Sequence, residues 1–285
     1  MNSSIGILYD HIRPEERLLI DAARRRSVKI QLHNSQRLYL NTAEFDHKEP
    51  FEEVVLQRCV SYFRSVNLSA VLESRGVKVI NSSKISSVCG NKLLATIALA
   101  KAGIPTPKTA VAFSIESALQ ALDEIGYPAV LKPIIGSWGR LVAILKDAES
   151  AKAILEDREN MFPLYQVYYI QEMVRRPPRD IRCFVVGDTV VAAIYRYAPK
   201  DEWRTNTARG GRVEKCDITP QTEELALKAA KVFGDGVYGV DMMECEGDLT
   251  VHEVNHTTEF RNTVPATGVD IPGLIIDYAA KMVRR

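Results

Sequence analysis

Val237-Tyr-Gly-Val-Asp-Met-Met-Glu-Cys-Glu-Gly-Asp-Leu-Thr-Val-His-Glu-Val-Asn-His256 reads as two β-strands joined by a tight turn. Leu249–Asn255 alternates and is rich in β-branched residues, Val237–Glu244 is its partner, and Glu246-Gly-Asp248 between them is a turn signal. Side chains two apart project from one face of a strand. Glu253 and Asn255 therefore share a face, and the hairpin can set Asp241 beside them. Two carboxylates and an amide oxygen form a hard, all-oxygen set suited to Mg²⁺ that also holds phosphates. Ordinary polar residues of an edge strand are the alternative reading. His252-Glu-Val-Asn-His256 also matches the H-E-x-x-H zinc-peptidase pattern. That pattern brings two imidazoles to one metal only on a helix; on a strand they stand about 13 Å apart and cannot share a zinc.

Strands dominate the chain on the N-terminal side of this hairpin too, at Tyr169–Glu172, Ile181–Val186 and Val190–Tyr195. One helix interrupts them, Pro220–Phe233, with Pro in its first turn and Gly234 at its stop, and a last helix is expected over Pro272–Val283. Further upstream, Asn91–Ala102 is a helix closed by Gly103, and Ile104-Pro-Thr-Pro107 is a rigid connector. Strands Lys108–Ala112, Pro128–Lys132 and Leu141–Leu145 then alternate with helices Ser114–Ile125 and Glu149–Arg158. The first segment carries strands at Ile5–Tyr9, Glu53–Leu56 and Val77–Ile80, with helices from Pro14 and near Asn67–Arg75. Short strands separated by helices suggest parallel βαβ units, so residues up to about 88 form a small open α/β layer. The fold class is α+β in three consecutive lobes, with no internal repeat.

Gly136-Ser-Trp-Gly-Arg140 lies between two predicted strands and fits neither a Walker loop nor a dinucleotide fingerprint. A β-loop-β flap of this composition can still close over phosphates, because glycine lets backbone N–H groups approach and Arg140 adds a cation; a plain hairpin is the alternative. Lys132 stands just before the flap inside an apolar strand, where it either snorkels to an edge or reaches an anion. Between Tyr169 and Cys216, ten basic residues face six acidic ones. A solvated face is the default reading of such a run, but Arg196 follows an apolar strand, where an anionic partner would offset its desolvation.

Hydrophobic residues make up 46% of the 285 and charged residues 26%, which excludes wholesale disorder and fibrous structure. A formal charge of +1 gives no global attraction to nucleic acid or an anionic membrane surface. No stretch approaches a membrane-spanning length, and the N-terminus lacks a signal-peptide pattern. The five cysteines are scattered and never paired as C-x-x-C, so a reduced cytoplasm is the expected setting.

Lys92 after Cys89-Gly-Asn, Lys132-Pro, the segment Gly136–Leu141, Gln171-Glu172, Arg179-Asp-Ile-Arg182 and Asp241…Glu253-Val-Asn255 occur in order over essentially the whole chain. In that order and spacing the chain resembles the ATP-grasp superfamily. The closer similarity is to its RimK-like branch, and within it to ligases of lysine biosynthesis. Leu8–Glu16, Gly136–Leu141, Thr205–Gly211 and Val254–Thr263 carry that closer similarity. Asn91 departs from it, since relatives usually have Asp there. The resemblance implies an N-terminal pre-ATP-grasp domain over residues 1–88, a central lobe with the phosphate flap over 89–168, and a C-terminal lobe over 169–285 that clasps ATP against it.

The resemblance also implies roles. Lys92 and Lys132 hold the α and β phosphates, and Gly136, Ser137, Trp138, Gly139, Arg140 and Leu141 cover the γ-phosphate. Gln171, Glu172, Met173 and Val174 grip adenine and ribose, with Asp180 and Arg182 also on the nucleotide. Asp241, Glu253 and Asn255 bind two Mg²⁺. Lys132, Arg196 and Asn206 are the catalytic set, and Arg196, Asn206, Glu259, Phe260, Arg261, Asn262 and Thr263 line the amino-acid pocket. The implied reaction is phosphorylation of the C-terminal glutamate side chain of a small acidic amino-group carrier protein of the LysW type. The α-amino group of α-aminoadipate then attacks that acyl phosphate. A glutamate-loading ligase of arginine synthesis, or one bifunctional for both amino acids, is the near alternative. In the family Asn-Thr/Ser marks aminoadipate and Gly-Phe marks glutamate at the pair that is Asn262-Thr263 here. A nucleotide-binding module without ligase activity is the alternative of another class, and the three filled metal positions argue against it. The resemblance further implies a dimer or tetramer.

Overall fold

The computed structural model describes residues 4–41, 51–205 and 210–283. The first lobe is a four-stranded parallel sheet in the order β2-β1-β3-β4. Its strands are β1 (Ser4–Tyr9), β2 (Lys29–Asn34), β3 (Val54–Gln57) and β4 (Lys78–Ile80), and its helices α1 (Pro14–Arg25), α2 (Tyr62–Ser74) and α3 (Ser83–Cys89). β1 and β3 are central and apolar. β2 is an edge strand, Lys-Ile-Gln-Leu-His-Asn, mostly solvent-facing, and gives no hydrophobic signal in the sequence. α2 begins five residues earlier than expected because the Ser61 side chain caps it by accepting from the Arg64 N–H.

α4 (Lys92–Lys101), capped by the Asn91 side chain, leads into the second lobe. There β5 (Thr109–Ala112), β8 (Tyr168–Glu172), β6 (Ala129–Lys132) and β7 (Ala143–Leu145) form an antiparallel sheet in that order. α5 (Ile115–Ile125) and α6 (Ala148–Glu159) supply Leu122 and Leu155 to its core. The third lobe is a five-stranded antiparallel sheet with β9 (Arg179–Val186) at its centre, in the order β11-β10-β9-β12-β13. β10 is Thr189–Tyr197, β11 is Arg212–Lys215, β12 is Val237–Cys245 and β13 is Asp248–Asn255. α7 (Pro220–Lys231) covers one face, and α8 (Thr263–Thr267) and α9 (Ile271–Val283) lie at the other.

The expected hairpin is present. Glu246 (φ 46°) and Gly247 (φ 91°) both take positive φ, the backbone of a type I′ turn whose twist matches the strands it joins. Asp241 pairs with Glu253 and Met242 with Val251, so His252 is an extra, unpaired residue in a β-bulge.

α9 packs Ile271, Ile275 and Ile276 between the first and third sheets, in one core with Ile5, Ile7, Leu19, Phe184 and Ile194. The central lobe has a core of its own. The first and third lobes are therefore joined by buried apolar contact, and the second stands against them across a cleft. No helix among the described residues is long and apolar enough to cross a membrane.

Asn81, 2% exposed, adds a polar tie between the first and third lobes. Its Nδ2 donates to the carbonyls of Val237 and His256 at 2.7 Å each, and its Oδ1 accepts from the Val237 N–H at 2.8 Å. Asn81→Ala leaves these buried groups unpaired and should cost about 2–3 kcal/mol. A lowered urea midpoint with unchanged slope is the expected result; an unchanged midpoint would show that the tie contributes nothing.

Candidate active site

Cross-strand register assembles the charged floor of the cleft. Arg182 on β9 is opposite Asp241 on β12, and Asp180 on β9 is opposite Arg196 on β10. The Arg182 guanidinium donates twice to Asp241, at 2.6 Å each. Arg196 donates twice to Asp180, at 2.7 Å each, and its Nη2 also lies 3.0 Å from Asp241. Asp180, Asp241 and Arg196 are 1%, 1% and 4% exposed. Burial alone would push the Asp180 carboxyl up; Arg196 and His252 beside it outweigh this and hold it well below the usual carboxylate range. Burial likewise works against the Arg196 charge, and Asp180 and Asp241 more than compensate, raising it.

The lysines approach from the other wall. Lys92, at the first turn of α4, reaches Glu253 at 3.1 Å and donates to the Gly136 carbonyl at 2.8 Å. Burial would raise the Glu253 carboxyl, but Lys92, His252 and Lys132 bring it down to about 2. Lys132, at the end of β6, donates to Gln171 Oε1 at 2.6 Å. Gln171 is fixed in turn by donating to Thr109 Oγ1 at 3.0 Å and the Tyr169 hydroxyl at 3.1 Å. Burial is the largest influence on Lys132; Glu253 opposes it while Lys92 and Arg176 add to it, and the ammonium is pushed down to about 8.

Between β6 and β7 the segment Gly136–Leu141 turns over the cleft, with positive φ at Gly136, Trp138, Gly139 and Leu141. Trp138 and Leu141 hold that conformation without glycine's freedom, so surrounding contacts must impose it. Those contacts are present. The Gly139 carbonyl accepts from Arg204 at 3.1 Å and the Leu141 carbonyl from Arg158 at 2.9 Å. Arg140 stacks on the Trp138 ring at 4.7 Å, and Trp138 Nε1 donates to Glu259 Oε1 at 3.2 Å.

A cleft with paired lysines on one wall, carboxylates on the other and a strained flap above is built to hold a polyphosphate. Residues 89–279 match the RimK-like ATP-grasp domain, and residues 5–88 match the LysX preATP-grasp domain. The chain belongs to the RimK-like ATP-grasp family. An alpha-aminoadipate–LysW ligase of Sulfurisphaera tokodaii is 35% identical, with 99% of each chain covered. A glutamate–LysW ligase of Sulfolobus acidocaldarius is 34% identical over 96% of this chain and 97% of its own. Among solved structures, a RimK domain ATP-grasp protein from Sphaerobacter thermophilus superposes with a TM-score of 0.82 at 28% identity, covering 97% of this chain and 99% of that one. Membership makes the chain an ATP-dependent carboxylate–amine ligase of α+β, ATP-grasp fold.

ATP-grasp chemistry implies a divalent cation, and the donor set fits one. Asp241 and Glu253 are opposed in register, and Asn255 Nδ2 donates to Asp241 at 3.3 Å. All the available donors are oxygens, as Mg²⁺ prefers. Arg182 and Lys92 now hold the two carboxylates. Among the described residues no group of three or more His, Cys, Asp and Glu could hold a metal ion.

Of the residues singled out in the sequence, Lys92, Lys132, Gly136–Arg140, Asp180, Arg196, Asp241 and Glu253 line one cavity of the cleft. A continuous cavity adds Arg182, Asn255 and Glu259. A small side cavity gathers Arg261, Asn262 and Thr263 with Arg182, Arg196 and Glu259. Leu141 lines an outer groove between the flap and the first lobe. Two groups are placed elsewhere. Phe260 is fully buried in the core beneath Arg58, so it anchors its segment instead of lining a cavity. Glu172, Met173 and Val174 are half-buried outside these cavities, and Glu172 accepts from the Lys108 N–H at 2.7 Å. Asn206 lies outside the described residues. Arg13, Arg176, Arg204, Thr205 and His252 also line the cavities without having been singled out for them. His252 is turned there by the bulge, which alternation in the sequence does not reveal.

The Glu253 carboxyl is lowered on folding, so its stabilisation is complete above its ordinary value of 4.5 and is lost as pH falls towards 2. In the metal-free protein, Glu253→Gln should reduce the loss of urea midpoint across that window relative to wild type. Identical slopes would contradict the Lys92–Glu253 pairing.

Proposed function

We propose that this ligase attaches the α-amino group of α-aminoadipate to the C-terminal glutamate side-chain carboxylate of a LysW-type carrier protein. Relatives named for either aminoadipate or glutamate match almost equally well, so overall similarity does not choose between the two. The observation that carries the choice is Asn262-Thr263. The pair bears the aminoadipate signature and borders the small cavity walled by the cations Arg182, Arg196 and Arg261. A pocket so lined suits the distal carboxylate of a dicarboxylic amino acid.

The reaction divides among the chain's own residues. Lys92 and Lys132 hold the α and β phosphates of ATP, and the flap residues from Gly136 to Leu141 close over the γ-phosphate. Residues 171–174 hold the adenine side. Asp241, Glu253 and Asn255 would hold two Mg²⁺, which would supply neutralising charge for the transferring phosphoryl group. Charge developing there is met by Lys132 and Arg196, already in place before substrate arrives. A carboxylate is a poor acyl donor, and phosphorylation provides the leaving group. Flap closure keeps water from the acyl phosphate until the amine attacks. The basic stretches Arg175–Arg182 and Arg204–Arg212 speed encounter with an acidic carrier tail.

The test is incubation of protein, ATP, Mg²⁺ and carrier with equimolar α-aminoadipate and glutamate, followed by the mass of the carrier. The aminoadipate adduct should dominate; a dominant glutamate adduct would contradict the reading. Since one methylene discriminates by only ~1–3 kcal/mol, Asn262→Gly with Thr263→Phe should move the kcat/KM ratio towards glutamate by about 10–200-fold. An unaltered ratio would remove the pair from specificity.

A further inference from the structure

Glu259 stands where two cavities meet. It lines the cleft that holds Lys92, Glu253 and Asn255, and also the side cavity of Asn262 and Thr263. Every other carboxylate lining the cavities is committed. Asp241 is gripped by Arg182 and Asp180 by Arg196, through paired hydrogen bonds. Glu253 is paired with Lys92. Asp10, on the outer groove, accepts from the backbone N–H groups of Val60 and Ser61 and contacts Arg64.

Glu259 differs. Its side chain is 25% exposed, and its one hydrogen bond among the described residues comes from the neutral indole of Trp138. The nearest cation, Arg13 at 3.6 Å, is itself engaged with Glu16 at 2.7 Å. A carboxylate that keeps hydrogen-bonding capacity at a junction of cavities suits a ligand that brings both a positive charge and a proton. A dicarboxylic amino acid brings two carboxylates and one ammonium. Among the carboxylates lining these cavities, Glu259 is the one left to meet that ammonium.

We propose that Glu259 holds the ammonium of the incoming amino acid and accepts its proton, so that the freed amine attacks the carrier's acyl phosphate. This rests on the acyl-phosphate reading above. The ammonium gives one proton to the Glu259 carboxylate, and the amine lone pair forms the new C–N bond. The C–O bond to phosphate breaks, the phosphate leaves with that electron pair, and it takes the second proton of the nitrogen. Glu259 then returns its proton to solvent. The Trp138 contact places the flap against this carboxylate, so the proton acceptor is seated under the same cover that excludes water.

Hydroxylamine separates the steps, because it is a neutral nucleophile near pH 7 and needs no base. With ATP, Mg²⁺ and carrier, wild-type protein should form carrier hydroxamate from hydroxylamine and the isopeptide from the amino acid. Glu259→Gln keeps the shape and the acceptor for Trp138. It should form hydroxamate at the wild-type rate while kcat for amino-acid ligation falls about a hundredfold or more. Glu259→Asp, with its carboxylate retained on a shorter stem, should recover part of that rate. A parallel loss of hydroxamate in Glu259→Gln, or a rise in KM with kcat unchanged, would overturn the proposal. Failure of the wild-type protein to form any hydroxamate would instead overturn the acyl-phosphate reading on which it rests.

Discussion

Two buried aspartates lie beside the buried Arg196 and the half-buried Arg182 on β10, β9 and β12, and the cleft depends on their mutual neutralisation. Each arginine meets an aspartate through two parallel hydrogen bonds of 2.6–2.7 Å, and Arg196 reaches both aspartates. Removing such groups from water costs several kcal/mol per ion, so none is stable there without its partners. Because the pairs are cross-strand neighbours, the same contacts hold the register of β9 with β10 and β12. A one-residue slip of β9 would turn Asp180 and Arg182 towards the apolar core on the opposite face and leave Arg196 and Asp241 without their partners.

From that fixed floor the rest of the site follows. Asp241 is held rigidly beside Glu253, and the bulge that pairs Asp241 but skips His252 turns the imidazole into the same cavity. Lys132 faces these carboxylates from β6 in the separately packed central lobe, whereas Lys92 reaches Glu253 from α4, whose Leu99 packs with Val251 and Val254 in the third lobe's core. Opposite charges on two independently packed bodies favour a cleft that closes on a polyanion carrying its own cations. The flap is restrained by Arg158, Arg204 and Glu259, which belong to both sides of the cleft.

Much of this was legible in the sequence, for reasons that can be named. The β12–β13 hairpin declares itself through alternation and the Glu-Gly turn, and its face periodicity places Asp241, Glu253 and Asn255 together. Helices with strong start and stop residues, such as Asn91–Gly103 and Ser114–Gly126, lie within a residue or two of expectation. Elements lacking a buried apolar face were not legible. β2 is polar along an exposed edge, β11 has Arg-Val-Glu-Lys, and α3 and α8 are only seven and five residues long. The same limit holds within the site. Arg182 is close to Asp241 only through strand pairing, and Arg13 meets Glu259 across 246 positions of chain. Local pattern carries no information about such partners. Phe260 shows the converse case: a residue inside a functional segment that serves the core.

The metal role proposed for Asp241 requires that its carboxylate meet a cation carried in with the nucleotide. Calorimetric titration of ATP into wild-type protein and into Asp241→Asn, each with and without Mg²⁺, tests this most directly. The account predicts that Mg²⁺ tightens ATP binding to the wild-type protein and that this gain largely disappears in the variant, with metal-free binding retained. A variant that keeps the full Mg²⁺-dependent gain would contradict it.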